Sequence, residues 1–592
     1  VYQIRAIIKN GGSCVKDIWK RGMATVAGVG MISVLLAGCG TNSTSGSTAS
    51  TPSAGGTSSS EKPVEGGSIT VDMAQAVPDL DPAIEFDTVS TEVVSQVYQQ
   101  LVTYSGSTHN ITGELAQSWD VSNDGKTYTF HLRKGVTFSN GDPLTSQDFV
   151  YEIERVLDKN LKPKPSPGNQ FFMDITGAQA YYNGQAKTIS GISTPDKNTL
   201  VIHLDKPEQF FLKIMAMPFA SAVDPAFEKK VGNAALDTTQ AMGTGPFEVQ
   251  KNTQSQVVLV KNPHYWQKDS SGNQLPYLNK VTININNNGQ LAALHWEQGQ
   301  TALMSPWLIG GDGIPSAAYP TIMNSPKYKS DVVTQPMSSI EYVGLNMKPT
   351  LNGKPNPLSN IKVRQAIEYA FQDSQIIKIN NGAVKPLNQP LPSTIEGYVS
   401  KLDPSAQYSY NLTKAKQLLK EAGYPNGLTL DLWNENTDNA KKADQAFQAM
   451  MKQIGITVNI HEVTWKDFLT KAMSGTAQVY ESGWQQDFPD ASDFLNTLFN
   501  SNQIAAGNNM NNYSNAQVDE WLNQAEYATD QQQRDELYGK VINKVMSDAA
   551  WVPYYQNVGY FSIQPWLHGV VPSDIVEDQF GKMWVDPGHG GN

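Results

Sequence analysis

LAQSWDVSNDGKTYTFHLRKGVTFSNGDPLTSQD, residues Leu115 to Asp148, combines a hairpin and a helix start. From Thr127 to Arg133 the residues alternate, with Tyr128, Phe130 and Leu132 on one face, the pattern of a half-buried strand. Asn123-Asp124-Gly125 is the turn that leads into it. Thr145-Ser146-Gln147-Asp148 reads as a capping box, and Phe149, Ile153, Val156 and Leu157 supply the buried stripe of the helix it opens. The turn has a superficial calcium-loop spacing at Asp120, Ser122, Asp124 and Gly125. Position twelve is His131 rather than Glu, and calcium is rejected there.

Outward from this stretch the same grammar continues. Ser68 to Met73 is a strand candidate, followed by the turn Pro78-Asp79-Leu80-Asp81-Pro82 and a helix carrying Val93, Val94, Val97, Tyr98 and Leu101. Gly243-Thr244-Gly245-Pro246-Phe247 punctuates a turn into a strand and predicts close backbone approach. Leu428 to Trp433, a helix from Ala440 to Lys452, and Ile456 to Val463 alternate as in an α/β layer. At 592 residues, with 39% hydrophobic content, the chain holds several domains. A net charge of −12 gives no basic surface for nucleic acid.

The N-terminus has a different composition. Lys16, Lys20 and Arg21 precede an uncharged run from Met23 to Ala37, too short for a comfortable span and of signal-core length. It ends in Leu36-Ala37-Gly38-Cys39, which resembles the bacterial lipobox; that resemblance implies cleavage before Cys39 and lipidation of its thiol. Gly40 to Ser60 is a tether of small, uncharged residues. Residues 1–38 carry five bases and one acid, so residues 39–592 hold 39 bases against 55 acids, a net −16. The only other cysteine is Cys14, in the leader, so no disulfide staples the fold.

Five landmarks in order resemble the extracytoplasmic solute-binding proteins of the peptide/nickel class, the receptors of ABC importers. They are Leu115–Asp148; Gly243–Phe247 with Lys261-Asn262-Pro263-His264-Tyr265-Trp266; Asn360–Ile367; Ala415–Tyr424; and Val552–Tyr555 with Gln564-Pro565-Trp566. The resemblance implies an α/β, type II periplasmic-binding-protein-like fold of two lobes, with a hinge and an additional third domain. Its expected division is 61–98, 235–333 and 557–592 for lobe I, 99–234 for the extra domain, and 334–556 for lobe III. The two crossings near 333 and 557 would form the hinge. It further implies a monomeric, cofactor-free receptor on the outer face of the cell membrane that hands an oligopeptide to a permease.

One segment bears on the ligand. Gly483-Trp484-Gln485-Gln486-Asp487-Phe488-Pro489-Asp490-Ala491-Ser492-Asp493 holds three acids and no base. Asp490 to Asp493 caps a helix starting near Ala491, which leaves Asp487 in the preceding loop. A solvated loop is one reading of Asp487. By resemblance to the oligopeptide receptors, the other is a carboxylate that pairs with the α-ammonium of a peptide. Gly483, Trp484 and Gln485 fall where that family lines the cleft and pairs backbone with ligand, and Phe86, Asp87 and Thr88 where the opposite edge is supplied. Ala472 and Glu481 stand where the best-known relatives carry bases for the ligand carboxylate, which leaves its capture open to Lys466, Lys471 or Arg364. An oligosaccharide, a nickel chelate, or a signalling peptide sensed without import remain alternatives on the same fold.

Enzyme chemistry finds no foothold. There is no Gly-x-Ser-x-Gly elbow and no phosphate-binding loop. His461-Glu462 begins like a zinc-protease helix, but Trp465 replaces the second His, and the segment reads as a strand-to-helix connection.

Overall fold

The computed structural model describes residues 62–589. The leader, Cys14, Cys39 and the tether lie outside them. The hairpin and helix read from Leu115–Asp148 are present. Strands Ala116–Val121 and Thr127–Leu132 pair antiparallel, and Tyr128, Phe130 and Leu132 are buried. The helix Ser146–Val156 opens on the Thr145/Asp148 capping box. Thr199–His203 and Ile192–Asp196 complete a four-stranded antiparallel sheet. Phe130, Phe149, Phe172 and Phe211 fill the core beneath it.

A second sheet of four strands joins distant parts of the chain. Ser68–Met73 runs parallel to Lys280–Ile285, followed by Gln256–Lys261 and Phe247–Thr253 in antiparallel order. Its core includes Val71, Phe247 and Ile283, with Leu567 and Phe580 contributed by the C-terminal tail.

The third sheet has seven strands. Its central path is Trp551–Ile563, Val332–Leu345, Val479–Gln485, Leu428–Glu435 and Ile456–Val463. Strand alternation places Tyr342, Tyr480 and Trp551 on one face and Val343, Leu345 and Leu432 on the other, so helices cover both sides. Tyr342 stacks on Trp551 at 3.4 Å. The two longest strands, Val332–Leu345 and Trp551–Ile563, pair along their length but slip in register. Pro336 faces Val558 and Ile340 faces Gln556, leaving residues 337–339 bulged.

One local expectation shifts by a few residues. The helix over Val93–Leu101 is Thr88–Val97, with Tyr98 as its C-cap and Leu101 beyond it. The close approach at Gly243 and Gly245 is real. A Cβ at Gly243 would lie 2.2 Å from Val97 O, and one at Gly245 would lie 2.6 Å from Gln96 O and Val97 O.

Candidate functional site

Strand Val479–Gln485 positions the acid-rich segment. One edge pairs with Val332–Leu345, where Gly483 faces Glu341 and Gln485 faces Ser339. The other edge pairs with Leu428–Glu435 only at Val479 and Tyr480. From Glu481 to Gln485 that edge has no partner strand among the described residues, the geometry to which an extended chain adds. Beyond Gln485 the backbone turns, Gln486 N donates to Ser338 O at 3.1 Å, and helix Ala491–Phe499 starts with Asp490 as N-cap.

The three acids of this turn have different fates. Asp490 is buried and grips Arg534, with Nη2 to Oδ1 at 2.8 Å and Nη1 to Oδ2 at 3.1 Å; Lys213 Nζ adds a contact at 3.1 Å. Burial raises its pKa, but Lys213 and Arg534 outweigh burial and hold the carboxyl below the usual range. Asp493 accepts from Trp484 Nε1 at 3.2 Å and from the Asp487 amide at 2.9 Å. Burial, reinforced by the Asp487 charge, pushes it well above the usual value. Asp487 is half-buried and lines a cavity of about 610 Å³.

The same cavity is lined by Phe86, Asp87, Thr88 and Gln485, so five of the seven expected ligand residues converge on it. Asp87 caps helix Thr88–Val97 by accepting from Ser90 N at 3.0 Å, and burial raises its carboxyl. Trp484 turns its ring into the core under the seven-stranded sheet instead. Gly483 sits in the strand, where a Cβ would meet the Glu341 carboxylate at 2.4 Å.

An aromatic junction adjoins the cavity. Phe171 is 6.4 Å from Phe86 and 6.3 Å from Phe488, edge-on to both, and Phe210 stacks on Phe488 at 5.1 Å. Phe86 follows the strand Ser68–Met73, Phe171 and Phe210 belong with the hairpin core, and Phe488 follows Val479–Gln485. All three sheet units therefore meet beside Asp487.

Beyond the sequence expectation the cavity gains four acids, Glu85, Glu114, Asp574 and Glu577. Six carboxylates line it (Glu85, Asp87, Glu114, Asp487, Asp574 and Glu577), against the cations Arg133, Lys268 and Lys582. Asp574 accepts from His109 Nε2 at 3.0 Å and from the Ser338 hydroxyl in the bulge. Burial carries Glu114 up to about 7 and Glu577 up to about 8. The run Asp574-Ile575-Val576-Glu577-Asp578, three acids without a base, was the available signal, but nothing local joins it to Phe86 or Asp487.

Of the bases considered for a ligand carboxylate, Arg364 is consumed by the chain. It donates to the carbonyls of Leu358, Asp548 and Ala549 and is 5% exposed. Lys471 lies over the Trp433 ring at 4.7 Å, and Lys466 is exposed. Ala472 is buried, and Glu481 accepts from Asn434 Nδ2 at 2.9 Å. The His461–Trp465 segment joins strand Ile456–Val463 to helix Trp465–Met473, as a strand-to-helix connection should.

Residues 110–506 match the model of bacterial extracellular solute-binding proteins, family 5 Middle. The chain is 29% identical over 533 residues to heme-binding protein A of Haemophilus influenzae, covering 87% of this chain and 91% of that protein. It is 29% identical over 473 residues to the dipeptide-binding protein of Escherichia coli, covering 77% and 82%. Among solved structures, the ABC transporter-associated periplasmic binding protein DppA from Helicobacter pylori, in complex with peptide STSA, superposes with a TM-score of 0.71 at 27% identity, covering 88% of this chain and 98% of that one. With its three sheets joined at one acidic cavity and a family match across more than half its length, the chain belongs to the family 5 extracellular solute-binding proteins, the peptide/nickel class of type II receptors that serve ABC importers.

Proposed function

We propose that this protein is a membrane-tethered receptor that closes on an oligopeptide and delivers it to an ABC permease. The observation that carries the reading is Asp487, a half-buried carboxylate on a cavity shared with the Phe86–Thr88 turn, placed just beyond an open strand edge. A peptide offers each of these elements a partner. Its backbone adds to the Glu481–Gln485 edge, and its α-ammonium pairs with Asp487. The relatives named for dipeptide binding and solved with peptide STSA support the ligand class.

In this reading residues 334–556, which hold most of the seven-stranded sheet, are lobe III. The sheet containing Ser68–Met73, with 61–98, 235–333 and 557–592, is lobe I, and 99–234 is the extra domain. The two crossings near 333 and 557 are the hinge, and the register slip between Pro336 and Ile340 lies beside them. Leader removal and lipidation at Cys39 then leave the receptor on the outer face of the membrane, held by the Gly40–Ser60 tether.

The haem-binding relative brings a second ligand class. Acids outnumber cations in the cavity lining, six against three, and that lining suits a donor-bearing cationic solute better than a porphyrin carrying two carboxylates of its own.

The test is calorimetry on the full-length protein with short peptides. Asp487→Ala should weaken binding of a peptide with a free amino end by roughly 2–5 kcal/mol, the cost of truncating one partner of a buried charge pair. N-acetylation of the peptide should weaken wild-type binding similarly. A loss under about 1 kcal/mol in both refutes the anchoring role.

A further inference from the structure

We propose that Arg133, supported by Lys268 and Lys582 on the same cavity, is the subsite that takes a carboxylate of the bound ligand. The assignment rests on the peptide reading above and deepens it. It gives the cavity a partner for the acidic end, or an acidic side chain, of the peptide whose ammonium pairs with Asp487.

Arg133 and Trp266 belong to two of the sequence landmarks, the hairpin stretch and the Lys261–Trp266 turn, to which the peptide reading gives no part. They meet in the wall of the cavity. The guanidinium lies over the Trp266 ring, 4.6 Å from the centroid, and Nε donates to Glu114 O at 2.5 Å. Trp266 is itself fixed, with Nε1 donating to Gln99 Oε1 at 2.8 Å. One face and one edge of the guanidinium are thereby held, and Nη1 and Nη2 donate to no acceptor among the described residues. A planar fork held in this way is preorganised for two parallel hydrogen bonds to a carboxylate. Arg364 and Arg534 show the contrast, since each spends its Nη atoms on the chain's own oxygens.

Two further bases line the same cavity. Lys582 Nζ donates only to Gln579 Oε1, and Lys268 Nζ meets no acceptor among the described residues. None of the three cavity cations forms an ion pair among those residues. The carboxylate on which Arg133 and Lys582 both act is Glu114. Its oxygens are taken up elsewhere, accepting from Gln99 Nε2 at 2.9 Å and from the Gln100 amide at 3.1 Å.

The bases and Asp487 come from different parts of the chain. Arg133 follows strand Thr127–Leu132, Lys268 follows Gln256–Lys261, and Lys582 belongs to the C-terminal tail, whereas Asp487 follows Val479–Gln485. A ligand positive at one point and negative at another engages all of these elements at once. A peptide with both ends free has that charge pattern, and it brings one carboxylate to three bases.

The experiment titrates the full-length protein by calorimetry with short alanine peptides of increasing length. Each has a free amino end and is made both as the C-terminal acid and as the amide. A second set of amides carries a single glutamate or glutamine at each position in turn. At one length the acid should bind about tenfold or more tighter than the amide, the scale of charge-assisted hydrogen bonds, which assigns the terminal carboxylate. Acid and amide equal, with glutamate favoured over glutamine by that factor at one position, assigns an acidic side chain instead. In Arg133→Gln whichever ratio is found should fall towards unity, while the effect of N-acetylation is retained. If Arg133→Gln does not fold, Lys268→Ala/Lys582→Ala, at two exposed side chains, should lower the ratio several-fold. Acid equal to amide at every length and glutamate equal to glutamine at every position overturn the subsite and leave the peptide reading standing, as does a ratio that no variant alters. Failure of every peptide to bind overturns both.

Discussion

Arg534 closes both guanidinium Nη atoms on the carboxylate of Asp490, three residues after Asp487, and the pair is almost wholly excluded from water. Asp490 also caps the helix Ala491–Phe499 and accepts from Lys213. One ion cluster thus fixes the turn that presents Asp487 to the cavity. Removing a single partner from such a cluster leaves a buried charge uncompensated. Arg534→Met should cost about 3 kcal/mol in urea unfolding, the low end of the range for broken buried pairs because Lys213 remains. Asp490→Asn added to Arg534→Met should recover part of the loss. No recovery would mean that Arg534 acts through its packing over the Tyr538 ring, 5.5 Å from the centroid, rather than through charge.

The buried acids also set the sign of the pH response. Burial raises Glu577 to about 8 from 4.5, and Asp578 and Asp312 to about 7 from 3.8. Between the unfolded and folded values the native state holds protons that the unfolded chain has lost, so stability falls as pH rises. The contribution is whole below about pH 4 and is lost as pH climbs through 7 to 8. The lowered Asp490 acts in the opposite sense, but only at pH values below its ordinary carboxylate range. Thermal unfolding of the ligand-free protein should give a midpoint that drops by several degrees from pH 5.5 to 8.5. A midpoint that rises over that interval contradicts this.

Glycines of one chain should differ sharply in tolerance. At Gly245 an added Cβ runs into two backbone carbonyls, Gln96 O and Val97 O, in a turn where Gly245 N also donates to Val97 O at 2.8 Å. Neither carbonyl can rotate away, and Gly245→Ala should cost about 1–3 kcal/mol, as overpacking does. At Gly483 the obstacle is the carboxylate tip of Glu341, which can swing. Gly483→Ala should therefore lose much less in the same denaturant titration. Equal losses would show that the Glu341 side chain is held rigidly.

Strands and caps were legible because their causes are local. Ser68–Met73 and Ile456–Val463 begin and end where alternation and turns place them, and Asp490 caps the helix expected at Ala491. A small part of the candidate site was legible through motif resemblance, at Asp487 and the Phe86–Thr88 turn. The rest was hidden because it depends on assembly. Glu577 acts on Glu85 across almost the whole chain, and the Asp574 carboxylate reaches Ser338 and His109 only after the tail folds back. Trp484 was misjudged for a related reason. Its side chain points opposite to that of its neighbour Gln485, and alternation sends it into the core to meet Asp493.

The aromatic junction ties affinity to domain contact. Phe171 touches Phe86 from one unit and Phe488 from another, each in an edge-on contact near 6.4 Å and 6.3 Å. It does not line the cavity, so its removal leaves the ligand's own contacts in place. Aromatic pairs of this geometry contribute about 0.5–1.5 kcal/mol each beyond burial. If the closed arrangement binds peptide and the open one does not, Phe171→Ala lowers the closed population and so the apparent affinity. The expected loss is about 1–3 kcal/mol, with the heat-capacity change of binding shifted because more surface must now be buried on closing. Small-angle scattering should show a larger radius of gyration for ligand-free Phe171→Ala than for the wild type, and the two should converge at saturating peptide. Unchanged affinity together with an unchanged radius would mean that the junction only packs the hairpin core and does not govern closure.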